Sequence, residues 1–159
     1  MAEGLVIPEL LAPSRVARGL CVSGKDALFE ALGALLHCAE PDLSRETIVA
    51  ALLEREHLGG TGIGQGVAVP HGRVPRLGRF IGAFVTVAQA MDYHAIDGKP
   101  VTMAFALLVP EHAVQEHLRI LSRLAGIFRN SETRQELLAA QTTEEICQCF
   151  ARAESRADR

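Results

Sequence analysis

Apolar residues return every three or four positions along two early stretches of the chain, and each return predicts one buried helix face. Leu28, Leu32, Leu35 and Leu36 follow Ser23-Gly24-Lys25-Asp26, whose Ser-x-x-acid form is that of a capping box, so a helix is expected from about 25 to 39, with Pro41 at its end. Ile48, Leu52 and Leu53 share a face of a second helix running from Ser44 or Arg45 to about His57, stopped by Gly59-Gly60. The period then shortens. Val67-Ala68-Val69 reads as a short strand leading into a Pro70-His71-Gly72 turn, and Phe80 to Val87 is rich in strand-forming residues. After a turn at Asp97-Gly98-Lys99-Pro100, Val101 to Val109 is almost uninterruptedly apolar, the pattern of a strand buried on both faces. Beyond Pro110 the helical period resumes. Val114, Leu118, Leu121, Leu124, Ala125 and Phe128 predict a long helix over about 112–129, and Asn130-Ser131 separates it from a shorter one over about 132–140. Thr142-Thr143-Glu144-Glu145 caps a last helix, whose polar end from about 153 to 159 is expected to fray.

Helices, then strands, then helices imply an α/β fold in which a mixed central β-sheet is sandwiched between helices. The 159 residues fit one compact domain spanning 1–159, with an N-terminal arm over about 1–22 in which Pro8 and Pro13 interrupt the apolar residues. No internal repeat is visible. Sixteen basic against nineteen acidic residues leave a charge of −3, which argues against a nucleic-acid surface covering the fold. No stretch approaches the ~20 apolar residues of a membrane span, and Met1-Ala2-Glu3-Gly4 lacks the basic start of a secretory signal, so a cytoplasmic protein is expected. Cys21, Cys38, Cys147 and Cys149 have no CxxC spacing and are expected as free thiols, because Cys147-x-Cys149 lacks the second ligand pair a zinc site needs.

Candidate chemistry gathers after the second helix. Gly59-Gly60-Thr61-Gly62-Ile63-Gly64-Gln65-Gly66 has five glycines in eight residues and is read as irregular loop. It has no Gly-Lys-Ser/Thr and no GxGxxG spacing, and it follows a helix rather than a strand, so it carries no nucleotide fingerprint. Alone, such a loop is a connector. It delivers the chain to His71 between Pro70 and Gly72, where one nitrogen of a neutral imidazole can act as nucleophile while the other is held by a hydrogen bond. A lone histidine in such a turn is more often an ordinary loop residue. Arg55, near the end of the second helix, offers either paired donors to a phosphoryl group or a surface ion pair. His117 falls beside the apolar stripe of the long helix, as a core residue or as a second imidazole. A metal site from His94, His112 and His117 is disfavoured, because five residues on a helix place the rings of 112 and 117 about 140° apart.

The run Leu53-Glu54-Arg55-Glu56-His57-Leu58-Gly59-Gly60-Thr61-Gly62-Ile63-Gly64-Gln65-Gly66-Val67-Ala68-Val69-Pro70-His71-Gly72-Arg73 resembles the signature of fructose/mannitol-type enzyme IIA domains of the bacterial phosphoenolpyruvate:sugar phosphotransferase system. Ala95 to Val101, Phe105 to Pro110 and Glu116-His117-Leu118 are also similar, so the likeness covers most of the chain. The resemblance implies that His71 is the phosphorylated residue and that Arg55 and His117 are its active-site companions. It implies phosphoryl-oxygen contacts from Thr61 and the loop amides of Gly60 and Gly62, and a partner rim of Ile63, Arg73 and Arg76. Neither metal nor cofactor is implied. The free-standing length is most similar to the nitrogen-type branch of the family, which takes phosphate from an HPr-like, nitrogen-type phosphocarrier and modulates targets such as potassium transporters and sensor kinases. A sugar-transport relative would instead pass the phosphate to a IIB domain, and a protein-binding module of the same fold would never carry it.

Overall fold

The computed structural model describes residues 7–157, so the first six residues of the expected arm and the last two of the tail lie outside the described part. The elements in chain order are α1 (Ile7–Leu10), β1 (Val16–Leu20), α2 (Lys25–Ala39), α3 (Arg45–Leu58), β2 (Gly62–Gly64), β3 (Val67–Ala68), β4 (His71–Val74), β5 (Ile81–Met91), β6 (Val101–Pro110), α4 (Val114–Arg129), α5 (Ser131–Ala139) and α6 (Thr143–Ala157). The sheet runs β1-β5-β6-β3-β2, with β4 also paired to β6 beyond β3. Among the described residues the β5–β6 and β2–β3 pairs are antiparallel and the others parallel, so the expected mixed sheet between helical layers is present.

The apolar run of β6 is explained by what covers it. Met103, Phe105, Leu107 and Val109 face a layer formed by α1, α4, α5 and α6, where the ring of Phe150 meets those of Phe84, Phe105 and Phe128 edge-on at 5.0, 5.5 and 5.9 Å. Ala104, Ala106 and Leu108 face the opposite layer, formed largely by α2 and α3. On this layer α3 packs against β4, the strand that carries His71, and α2 against β5.

Four local expectations are corrected. Ser23 does not cap α2: the N-cap is Gly24, with no side-chain bond. Ser44 does cap α3, accepting from Thr47 N at 3.0 Å. The glycine loop is not wholly irregular, because Gly62–Gly64 pairs antiparallel with Val67–Ala68 across a turn in which Gly64, Gln65 and Gly66 all have positive φ. His71 does not sit in a turn but begins β4, which runs parallel to β6 with His71 opposite Leu107. The segment from 153 is helical to Ala157, and Ala153 and Glu154 are buried because Glu154 accepts from Ile7 N and pairs with Arg123 of α4. The arm therefore contributes both an edge strand and a short helix tied to the C-terminal one. Cys21 and Cys38 are exposed, Cys149 is buried, Cys147 lies between, and all four thiols are free.

Candidate functional site

Pro70 and Gly72 set the position of His71 in different ways. The Pro70 carbonyl accepts from Leu107 N at 2.9 Å, which locks the start of β4 onto β6. Gly72 allows α3 to approach: a Cβ there would lie 2.8 Å from both the carbonyl carbon and oxygen of Ala51. Arg55 is one helical turn beyond Ala51, so this contact also fixes where its guanidinium stands.

The structure brings Arg55, His71 and His117 together in one cavity of about 290 Å³, with Ala51, Glu54, Leu58, Gly72 and Arg73 as its other walls. The two imidazoles meet edge to face, with ring centroids 5.0 Å apart. His71 Nδ1 is 2.8 Å from the Val69 carbonyl. A carbonyl only accepts, so Nδ1 carries the proton and Nε2 keeps its lone pair. His117 is 7% exposed, and its Nε2 is buried with no hydrogen-bond partner among the described residues. Buried polar atoms in native interiors are normally paired, so this nitrogen is available to a polar group that enters the cavity.

Both rings are held neutral. Burial is the main cause that lowers the pKa of His71, and the charges of Arg55 and Arg73 add to it against the opposing Val69 carbonyl and Glu56. His117 is lowered to about 4, first by burial and then by His71, Arg73 and Arg55. Two fixed guanidiniums beside two neutral imidazoles suit an anion and repel a cation. Among the described residues no group of three or more His, Cys, Asp or Glu is placed to hold a metal, and His94 and His112 are exposed side chains paired with Asp92 and Glu111.

Thr61 is committed to partners behind the cavity. Its hydroxyl donates to Glu56 Oε1 and lies 2.9 Å from the Tyr93 hydroxyl, while its amide donates to Glu56 Oε2 at 3.2 Å, so neither group faces the cavity. Gly60 and Gly62 do not line the cavity either; Gly62 is packed on Ala95 and Tyr93. Ile63 and Arg76 are exposed outside it, whereas Arg73, expected on the rim, forms part of the wall.

Sequence reasoning missed the cluster behind the site. Lys25 Nζ donates to Glu56 Oε2 at 2.8 Å and lies 4.2 Å from the centre of the Tyr93 ring, whose hydroxyl donates to Glu56 Oε1 at 3.2 Å. Burial works to raise the Glu56 pKa, but hydrogen bonds from Lys25 and Thr61 together with the Lys25 charge hold it below the usual value. This cluster ties α2, the end of α3 and the glycine segment together directly beside Arg55. Arg55 itself donates to the Gly59 carbonyl at 2.7 Å. The signal for Arg73 was the spacing of two from His71, which on a strand puts both side chains on one face.

The family model for the phosphoenolpyruvate-dependent sugar phosphotransferase system, EIIA 2, matches residues 9–153. The chain belongs to this EIIA 2 family. Among its EIIA 2 relatives, a nitrogen regulatory protein of Bradyrhizobium diazoefficiens is 36% identical over 146 residues, covering 91% of this chain and 94% of the relative. A nitrogen regulatory protein of Pseudomonas aeruginosa is 34% identical, with 89% and 92% covered. The crystal structure of nitrogen regulatory protein IIA-Ntr from Neisseria meningitidis superposes with a TM-score of 0.85 at 41% identity, covering 91% of this chain and 98% of that one. As an EIIA 2 member the chain is a phosphotransferase-system component, and this places phosphoryl transfer among its activities at the level of the family. Among the described residues no helix is long and apolar enough to cross a membrane.

Proposed function

We propose that this chain is a cytoplasmic, nitrogen-type regulatory phosphotransferase component that is reversibly phosphorylated on Nε2 of His71 by a small phosphocarrier protein. The observation that carries the reading is the division of labour between the rings: Nδ1 of His71 is tied to Val69, leaving a neutral Nε2, beside a second imidazole with an unpartnered buried nitrogen. In the transfer, the Nε2 lone pair forms a new P–N bond as the P–N bond of the carrier's phosphohistidine breaks and its electron pair returns to the carrier's ring. Such a transition state spreads charge over the equatorial oxygens, so the work of the protein is positioning and electrostatic stabilisation. The Arg55 guanidinium and the His117 ring occupy the walls from which that stabilisation would come.

The regulatory assignment rests on the names of the relatives at 34–41% identity over nine-tenths of the chain. Phosphorylation places about −1.5 to −2 charges at the cavity mouth, so a target docking over bare His71 would lose its fit when the residue is modified. Potassium transporters and sensor kinases are the target classes proposed, with a IIB domain as the alternative recipient. The test is incubation with phosphoenolpyruvate, enzyme I and the phosphocarrier, followed by intact-mass measurement of wild type and His71→Ala. One acid-labile phosphoryl adduct on wild type and none on the variant is expected. Equal labelling of both proteins would refute His71 as the acceptor.

A further inference from the structure

Arg73 was expected to touch a partner, yet its side chain spans two groups of this chain. Nη1 donates to the Glu111 carbonyl at 2.9 Å, and Nη2 lies 3.4 Å from Nδ1 of His117. A guanidinium has only donors, so a neutral imidazole facing it must present a bare Nδ1 and carry its proton on Nε2. That nitrogen is the buried atom with no partner among the described residues.

We propose that Arg73 is a positioning residue that sets His117 in the Nε2–H tautomer, so that its unsatisfied N–H is kept ready to donate to a phosphoryl oxygen on His71. The proposal takes its purpose from the phosphoryl-acceptor reading above, but its structural content is independent of it. Three elements cooperate. β4 puts Arg73 two residues past His71, on the same face of the strand. The Glu111 carbonyl, just after β6, holds one arm of the guanidinium in place. His117 stands in the first turn of α4, its backbone N–H bonded to the Ala113 carbonyl at 3.0 Å, so its ring is presented by a fixed helix end. With Nδ1 taken by Arg73, Nε2 is the nitrogen left to meet whatever His71 carries. The opposite tautomer would aim a lone pair at phosphoryl oxygens and repel them. It would also set a Nδ1–H donor against a cation. One guanidinium therefore disfavours the unproductive form at both ends of the ring.

The test reads the imidazole nitrogens of the unphosphorylated protein by ¹⁵N NMR at neutral pH, in wild type, Arg73→Lys and Arg73→Glu, with far-UV circular dichroism to establish that each is folded. In wild type and in the lysine variant, which keeps a donor cation, His117 should show a protonated Nε2 and a bare Nδ1. The glutamate variant places an acceptor at Nδ1, so a proton should appear there. Phosphoryl transfer from the carrier should then fall about 10²-fold in Arg73→Glu and stay within a few-fold of wild type in Arg73→Lys. A wild-type His117 protonated on Nδ1, or an Arg73→Glu ring with Nδ1 still bare, overturns the proposal. Because the nitrogen signals are read without phosphate, a protein that shows the tautomer but never accepts phosphate would refute the proposed function and leave this inference standing.

Discussion

Substituting Gly72 by alanine tests whether the close approach of α3 to β4 builds the site. The added Cβ would lie 2.8 Å from two backbone atoms of Ala51 and 2.9 Å from its Cβ. Ordinary carbon contacts begin near 3.5 Å, so helix and strand must separate by about 0.7 Å, and no flexible side chain is available to absorb the shift. Overpacking of this kind costs ~1–3 kcal/mol, and the backbone character of the obstacle puts Gly72→Ala near the upper end. For a domain of this size each kcal/mol moves Tm by about 2–4 °C, so a loss of roughly 6–12 °C is expected in a thermal melt. Arg55 sits one turn beyond the point of contact, and misplacing such a group by about 1 Å is worth up to ~10² in rate. Phosphoryl acceptance should therefore slow even where the variant is fully folded. Gly126→Ala is the control: it lies within α4, nothing is within 4 Å of the added Cβ, and it should gain up to about 1 kcal/mol from helix propensity. A Gly72→Ala protein with wild-type Tm and wild-type transfer rate would show that the contact between α3 and β4 does not build the site.

Two further outcomes follow from the charged groups. Lys25→Met leaves the Glu56 carboxylate buried beside Thr61 and Tyr93 without its cation, and should cost about 3 kcal/mol in urea unfolding at neutral pH. Because the Glu56 pKa is depressed in the folded protein, the stability it contributes is present above the ordinary carboxylate pKa and lost as pH falls below it through the lower folded-state value, so the Lys25→Met penalty should shrink in acid. His117 titrates near 6.5 when unfolded but at about 4 when folded, so the unfolded chain binds the extra proton between those values. Stability should decline as pH falls from about 6.5 to about 4, and His117→Gln should flatten that decline in urea titrations.

Legibility in the sequence tracked how strongly each segment is constrained by burial. β6 could be read because both faces are covered, and α3 because Ser44 and Gly59 bound it as a cap and a stop should. β1 carries almost no signal, since an edge strand with Val16 as its one fully buried residue shows neither alternation nor a run. β2 and β4 were hidden by composition. Glycines that read as loop are in part strand because the tight turn at Gly64–Gly66 returns the chain on itself, and Pro70-His71-Gly72 reads as a turn until Leu107 is seen to hold it against β6. Arg55, His71 and His117 were singled out by chemistry and by resemblance, and their convergence is a property of the fold. The hydrogen bonding of Thr61 was not legible, because its partner Tyr93 lies 32 residues away and no local pattern announces the Glu56 cluster.

Which ring nitrogen takes the phosphoryl group is read by heteronuclear NMR of the phosphorylated, ¹⁵N-labelled protein, through ³¹P–¹⁵N and ³¹P–¹H couplings. Phosphorus should be bonded to Nε2 of His71, with Nδ1 still protonated toward the Val69 carbonyl. Phosphorus on Nδ1, or on the ring of His117, would rule out Nε2 of His71 as the acceptor.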